Sequence, residues 1–541
     1  MDIQTEDGLE PSVNRKSLEQ PIFSFWKFAT SSYPRIISLL IILILISIIP
    51  MTVLASHNNG QKPAPSPTPT PTPTTNNYSY DVIIYGNNVS GAGVIRAITQ
   101  GDNSGTKLKI AFIGTASYQQ GAPSNGLSIE DLYSADTVAT GFYKQFRDQV
   151  IQTYAAQGIN PDSTGRLKYE PEVAQSTISS FSQAANVTYF SAHLVSGSDS
   201  PNNRYLTIND ETKGQITLKT KYFVDASVEG DLARMLGASY RVGHTETAYN
   251  DLTGPKPATP SAANNYDAPE SLSELLTLKI YPAGTLAPAV TSTNWPYYDP
   301  LSYDPNIFNG VINLSTFNTS WSMTTALLPD MSNGTFDKRE LNEKWTDYVY
   351  SMNPSAPMDS YLWFFGTSAD KARIRSATIN QSINAVRYLQ ANGYGNIGIA
   401  NVNPWPYVRG NLRAEGNTVY TGADVTNKVI IQSVATGYYA AFDDHYAYSG
   451  STNYGYAYVN VPMGSLMPLN HPYLLVSTAI SSDYTGYDSA VRTEAVRANM
   501  GYAAGTMLVI AKQKGFIPFN RLKYTDVSTM LQALGQKTTL P

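Results

Sequence analysis

Tyr80-Asp81-Val82-Ile83-Ile84-Tyr85-Gly86-Asn87-Asn88-Val89-Ser90-Gly91-Ala92-Gly93 is the stretch whose reading decides the fold. Tyr80–Tyr85 is a short β-rich apolar run of the kind a buried parallel strand requires. Gly86–Gly93 makes a glycine-rich turn, and Val94-Ile95-Arg96-Ala97-Ile98-Thr99-Gln100 starts a helical pattern. A second strand, Leu108-Lys109-Ile110-Ala111-Phe112-Ile113, closes a βαβ unit of the expected size. In such a unit, glycines let backbone amides approach a pyrophosphate, and the positive end of the helix dipole stabilises it. This fingerprint departs from the full pattern twice. Its middle glycine position holds Asn88, and Gly114 stands at the end of the second strand, where an acid would hold a ribose hydroxyl. A βαβ unit that binds no nucleotide therefore stays open on this segment alone.

Upstream, residues 60–77 alternate prolines with small polar residues, which removes amide donors and holds the chain extended as a spacer. Before the spacer, residues 36–49 are apolar except Ser38 and Ser47, and the run continues uncharged to Leu54. At ~1.5 Å per helical residue the 36–54 run reaches about 28 Å, close to a hydrocarbon core. Arg15, Lys16, Lys27 and Arg35 precede it, so the N-terminus is expected in the cytoplasm and the remainder across the membrane. The expected order is a cytoplasmic tail (1–35), one transmembrane helix (36–54) and a linker (55–77). Val53-Leu54-Ala55 before Ser56 also suits a signal peptidase, leaving a secreted product as the alternative to a single-pass cell-membrane protein.

The near balance of 37 basic and 42 acidic residues, a formal charge of −5, gives no electrostatic footprint for nucleic acid. Cysteine is absent, which excludes thiol catalysis, cysteine-bound metal and disulfides. The histidines at 57, 193, 244, 445 and 471 are scattered, and no metal site is expected. No Gly-x-Ser-x-Gly elbow, His-Glu-x-x-His helix or phosphate loop ending in Gly-Lys-Ser/Thr occurs.

Further along, Gly121-Ala122-Pro123-Ser124-Asn125-Gly126-Leu127 precedes Glu130-Asp131-Leu132, and Tyr169-Glu170-Pro171-Glu172-Val173-Ala174 opens a helical pattern. Tyr222-Phe223-Val224-Asp225-Ala226-Ser227-Val228-Glu229-Gly230-Asp231-Leu232-Ala233 is a strand ending in an acid, with a Gly-Asp pair behind it. Asp225 and Asp231 offer acceptors for ribose or amide donors, and a strand end with a helix cap reads equally well. In this order, and over most of residues 78–515, the segments resemble the FAD-dependent oxidoreductase family. The 222–233 segment is similar to that family's "DATxEGD" motif almost residue for residue.

The resemblance implies an α/β protein: a Rossmann-type FAD-binding domain with three layers and a mainly parallel sheet, formed by residues 78–244 and 461–541. An inserted α+β substrate domain spans 245–460. The resemblance implies FAD contacts at Gly86, Asn88, Ser90, Gly91, Gly121, Asp225, Gly230 and Asp231. It adds Gly501, Ala503, Ala504 and Gly505, small residues expected to begin a helix whose N-terminus approaches the flavin. A small-residue helix-packing face needs the same residue types.

Departures cluster at polar positions: the segment Pro406–Gly416 keeps Arg409 and Arg413 but loses a Glu-Ser-Arg core, and Gly464 stands where an arginine is common. A flavin supplies the hydride chemistry, so the protein must orient a substrate and manage one proton. His445 is the first candidate base because Asp443 and Asp444 precede it; a satisfied loop histidine is the alternative. Arg492 and His471 are further candidates. Trp295, Trp321, Trp345, Trp363 and Trp405 suit either a sugar-like or other ring-shaped substrate, or a core. A small-molecule substrate and an electron acceptor outside this chain are the expected partners. A non-catalytic binding protein on the same fold is the rival expectation.

Overall fold

The continuous apolar run at Val82–Tyr85 (β2) becomes a strand with all four residues buried, the middle one of five consecutive parallel strands in an eight-stranded sheet. The computed structural model of the chain describes residues 77–114, 121–162, 165–243, 270–314, 327–342, 347–348, 359–410, 412–440, 443–444, 452–453 and 455–540. The expected transmembrane run at 36–54 lies outside the described residues. Among those described, no helix is long and apolar enough to cross a membrane.

The sheet takes Asn77–Ser79 (β1), β2, Ile110–Gly114 (β3), Val187–Ser200 (β4), Asn203–Asp210 (β5), Gly214–Lys219 (β6), Tyr222–Asp225 (β7) and Leu474–Val476 (β16). Their order is β1-β6-β5-β4-β3-β2-β7-β16. β4, β3, β2, β7 and β16 pair in parallel, with Tyr85 opposite Ile113 and Asp225, and Val476 opposite Asp225. β4 runs on past its parallel part, shifts register between Leu194 and Ser196, and becomes the first strand of an antiparallel meander with β5 and β6.

Strand alternation sorts the two faces. Val82, Ile84, Phe112, Val224 and Leu475 face one core. Ile83, Tyr85, Ala111, Ile113, Phe223, Leu474 and Val476 face another, closed by the meander and by Leu232 and Ala233 of the short helix Asp231–Met235 (α4). The first core is covered by Val89–Gly101 (α1), Gly141–Ala155 (α2), Pro171–Ser182 (α3) and the 20-residue helix Glu494–Gln513 (α6).

Between β7 and β16 the chain builds a four-stranded antiparallel sheet from Leu276–Ile280 (β9), Leu327–Asp330 (β10), Thr335–Leu341 (β11) and Ile397–Val402 (β12). Ser368–Ala391 (α5) lies on it, burying Ile383, Val386 and Leu389 against Leu276, Leu278 and Leu341. A reciprocal Thr367–Asp370 capping box starts that helix. Leu272–Ser273 (β8) and Tyr407–Val408 (β13) form a small sheet with Asp347–Tyr348. The stretch 245–460, expected as one insertion, divides in its packing. The antiparallel pair Ser433–Ala440 (β14) and Tyr456–Pro462 (β15) buries Val434, Ala435, Val459 and Val461 in the core that covers α1 and α6.

Candidate flavin site

The C-terminal ends of β2, β3, β7 and β16 meet at one edge of the sheet, where ligands of open α/β folds sit. Gly86 leaves β2 with φ +125°, and a Cβ there would stand 2.4 Å from the Ala226 carbonyl carbon. Only glycine allows the β2 and β7 exits to approach so closely. A Cβ on Gly91 would lie 2.1 Å from the Gly86 oxygen. Asn88 is the N-cap of α1: its Oδ1 accepts from the Ser90 and Gly91 amides at 2.9 and 3.1 Å, and its Nδ2 donates to the Ala226 oxygen at 2.6 Å. The residue in the middle glycine position thus fastens the turn to β7 through its carboxamide. Ser90 Oγ bonds Ser477 Oγ at 2.9 Å, tying α1 to the end of β16.

Asp225 is fully buried and spends both oxygens on its own loop. Oδ1 accepts from the Ser227 amide (2.9 Å) and hydroxyl (2.6 Å), and Oδ2 accepts from the Ala233 amide (2.7 Å). Burial pushes its pKa up to about 7. Gly230 takes the left-handed conformation before α4. The Asp231 amide donates to Ser227 Oγ at 2.9 Å, and its carboxylate pairs with Arg234 at 3.2 Å. Ser227 Oγ thus fills the helix-cap role at the start of α4.

Gly121, at φ +97°, opens a 3-10 turn over Ala122–Asn125, and a Cβ on it would touch Asn88 Cβ at 3.1 Å. The Ala122 amide donates to Glu494 Oε1 at 3.3 Å. Glu494 is the first residue of α6, so the N-terminus of this helix meets the Gly121 segment seven residues before the expected start. Gly501 and Gly505 lie within the helix and serve its crossing with α1: Cβ atoms there would meet the Ser90 oxygen at 2.0 Å and the Val94 oxygen at 2.4 Å. Ala503 and Ala504 are core residues.

Arg492, 1% exposed, lies just ahead of α6. Its Nε donates to Asp488 Oδ1 at 2.9 Å and its Nη1 to the Tyr407 hydroxyl at 3.0 Å. Arg409 lies 4.6 Å from the Tyr407 ring centre and donates to Asn342 Oδ1 at 2.6 Å. Behind Arg492, Arg497 bridges Glu494 (2.9 Å) and the Tyr487 hydroxyl (2.7 Å). Burial pushes the Tyr407 phenol up to about 12, although Arg492 pulls it down, so Tyr407 is a neutral donor. His445 lies outside the described residues, and Asp443 belongs to a two-residue strand paired with Thr452–Asn453. His471 bonds Asp199 at 2.5 Å, beside a groove of about 400 Å³ lined by Asn417, Asn470 and Asn520 among others.

Residue types alone did not reveal the role of Glu229. Its carboxylate is buried, accepts from the Trp363 indole at 3.0 Å and lies 3.7 Å from Lys371, which joins the 222–233 motif to the middle body. Trp363, 1% exposed and edge-on to Trp405, is therefore core. Trp321 and Trp345 lie outside the described residues.

A mainly parallel sheet with a glycine turn and a helix N-terminus at its C-terminal edge defines a dinucleotide-binding α/β protein. The family model described as FAD dependent oxidoreductase matches residues 81–531, and this chain belongs to that family. No curated protein matches it in sequence. Among solved structures it is similar to p-nitrophenol 4-monooxygenase PnpA of Pseudomonas putida DLL-E4, with 8% identity, 84% of this chain and 89% of that one covered, and TM-score 0.34. A flavoprotein/dehydrogenase of Cytophaga hutchinsonii gives 11% identity, 84% and 83% coverage, and TM-score 0.33. L-proline dehydrogenase of P. horikoshii gives 14%, 28% and 23% coverage, and 0.18.

The chain is thus an FAD-dependent oxidoreductase, and its residues fit the cofactor. Gly86 and Gly91 let the exits of β2 and β7 and the start of α1 pack backbone against backbone, the close approach such a turn needs beside a diphosphate. Gly86, Ser90, Gly91 and the α1 N-terminus would hold the diphosphate, with Gly121 and the start of α6 beside it. FAD bound there supplies hydride acceptance.

Proposed function

We propose that this enzyme oxidises a small, ring-shaped and hydroxylated molecule such as a sugar, outside the cytoplasm, by passing a hydride from substrate carbon to flavin. The observation that carries the reading is the buried Asp488–Arg492–Tyr407 chain, which links the residues just ahead of α6 to β13 of the middle body. The middle body, within 245–460, is the substrate domain. Arg492 and the Tyr407 hydroxyl act as positioning groups, fixing the substrate domain against the start of α6. His445, with Asp443 fixing its tautomer, takes the hydroxyl proton as the carbon-bound hydrogen leaves as hydride. The apolar run at 36–54 and the proline spacer behind it support a tethered, extracytoplasmic enzyme. The electron acceptor is a separate molecule.

The test is the purified full-length protein. It is expected to carry visible flavin absorbance that a sugar or cyclic alcohol bleaches anaerobically. The His445→Ala variant is expected to keep its flavin and lose roughly 10²–10⁴ in kcat. Protein that stays colourless with excess FAD would support the rival binding-protein reading.

A further inference from the structure

β3 ends at Gly114, paired in parallel with Ser191 of β4. In the dinucleotide-binding pattern this strand end carries an acid that accepts from a ribose hydroxyl. Here the space is taken: a Cβ on Gly114 would stand 2.5 Å from the Tyr189 hydroxyl oxygen and 2.7 Å from Asn87 Cβ. Tyr189 comes from β4, opposite Phe112, and its ring lies edge-on to that ring at 5.9 Å. Asn87 Nδ2 donates to the Tyr189 oxygen at 3.2 Å. With its oxygen so engaged, the hydroxyl has its own proton to offer outward. Tyr189 is 45% exposed, so a ligand at the edge reaches it. Burial of its polar end pushes the phenol above its ordinary value, despite the Asn87 bond, and Tyr189 stays protonated.

We propose that the Tyr189 hydroxyl, aimed by Asn87, takes the place of the missing acid and binds the adenosine ribose of FAD as a neutral donor. The inference rests on the flavin reading of this edge. An acid would accept a charge-assisted bond, whereas Tyr189 donates an uncharged one to the ribose oxygen. The contact discriminates a ribose carrying the hydroxyl from one lacking it, with modest strength.

The experiment compares FAD with an analogue lacking the 2′-hydroxyl of the adenosine ribose, by quenching of flavin fluorescence on titration into deflavinated full-length protein. Wild type is expected to prefer FAD by roughly 3–10-fold, the worth of one neutral hydrogen bond. Tyr189→Phe is expected to bind both flavins equally, and Asn87→Ala to reduce the preference. Because the readout is a ratio within one protein, a general loss of affinity in a variant does not mimic it. The inference is overturned if wild type shows no preference, or if Tyr189→Phe keeps it. Wild type that takes up neither flavin overturns the flavin reading itself, and this inference with it.

Discussion

Arg492 and Asp488 are each 1% exposed and bonded to one another, so neither charge has water to fall back on. Removing one partner of such a pair strips the other of a buried, charge-assisted bond, which costs about 3–5 kcal/mol. Arg492→Ala is therefore expected to lower the denaturant midpoint by that equivalent, and Arg492→Lys to lower it less. An unchanged midpoint in the alanine variant would show that the pair is hydrated in solution. At this scale the sequence was partly legible. Asn88 was readable as a departure from glycine, and its residue type also marks it as a helix cap, the role it takes. Asp225 stood out as a strand-end acid, yet its oxygens turn inward to Ser227 and Ala233. Glu229 and Tyr189 could not be singled out, because the Trp363 indole and the space over Gly114 are brought to them only by the fold.

Helices α1 and α6 cross so closely that glycine is required on both. Cβ atoms on Gly93 and Gly501 would meet the backbone oxygens of Ala498 and Ser90 at 2.6 and 2.0 Å. Backbone cannot rotate out of the way as a side chain does, so Gly501→Ala is expected to cost about 3 kcal/mol, at the upper end of overpacking. Equilibrium unfolding would measure it, and a cost near zero would mean that the crossing slides open. The strands β2 and β7 and the start of α1 were legible because a strand buried on both faces must be apolar throughout. The start of α6 was not. Small residues serve close helix packing and close ligand approach alike, and the 501–505 cluster outweighed the plainer signal of Thr493 followed by Glu494 in a first turn.

Across the whole molecule, buried carboxyls set the response to pH. Burial raises Asp225, Glu229 and Glu274 to about 7 and Glu340 to about 8, from ordinary values of 3.8 for Asp and 4.5 for Glu. The folded state therefore holds protons that the unfolded chain has released. The stability they contribute is full below pH 4 and is lost as pH rises through 7 to 8, at about 1.4 kcal/mol per pH unit for each proton. His471, raised by its bond to Asp199, acts in the same direction. Asp330 acts in the opposite one: burial raises it, but Lys279 and Ser332 outweigh that and hold it low, so its contribution is lost only in strong acid. Thermal unfolding of the full-length protein is expected at a higher temperature near about pH 5 than near about pH 8. The reverse order would place these carboxyls in contact with water. The α/β class was legible at this scale from three short strands and their order. The meander and the split packing of residues 245–460 were not, since alternating Tyr, Thr and Ser serve edge strands and loops alike.

The pairing of β7 with β16 also governs how the chain comes off the ribosome. Val224 meets Leu475, and Gly93 meets Ala498, only after hundreds of intervening residues have been synthesised. Until then the nascent protein presents an open sheet edge and an uncovered apolar face of α1, both prone to aggregation. Such long-range closure is slow. Chains cut short before Gln513 are expected to be recovered as insoluble or degraded material, however complete their middle body.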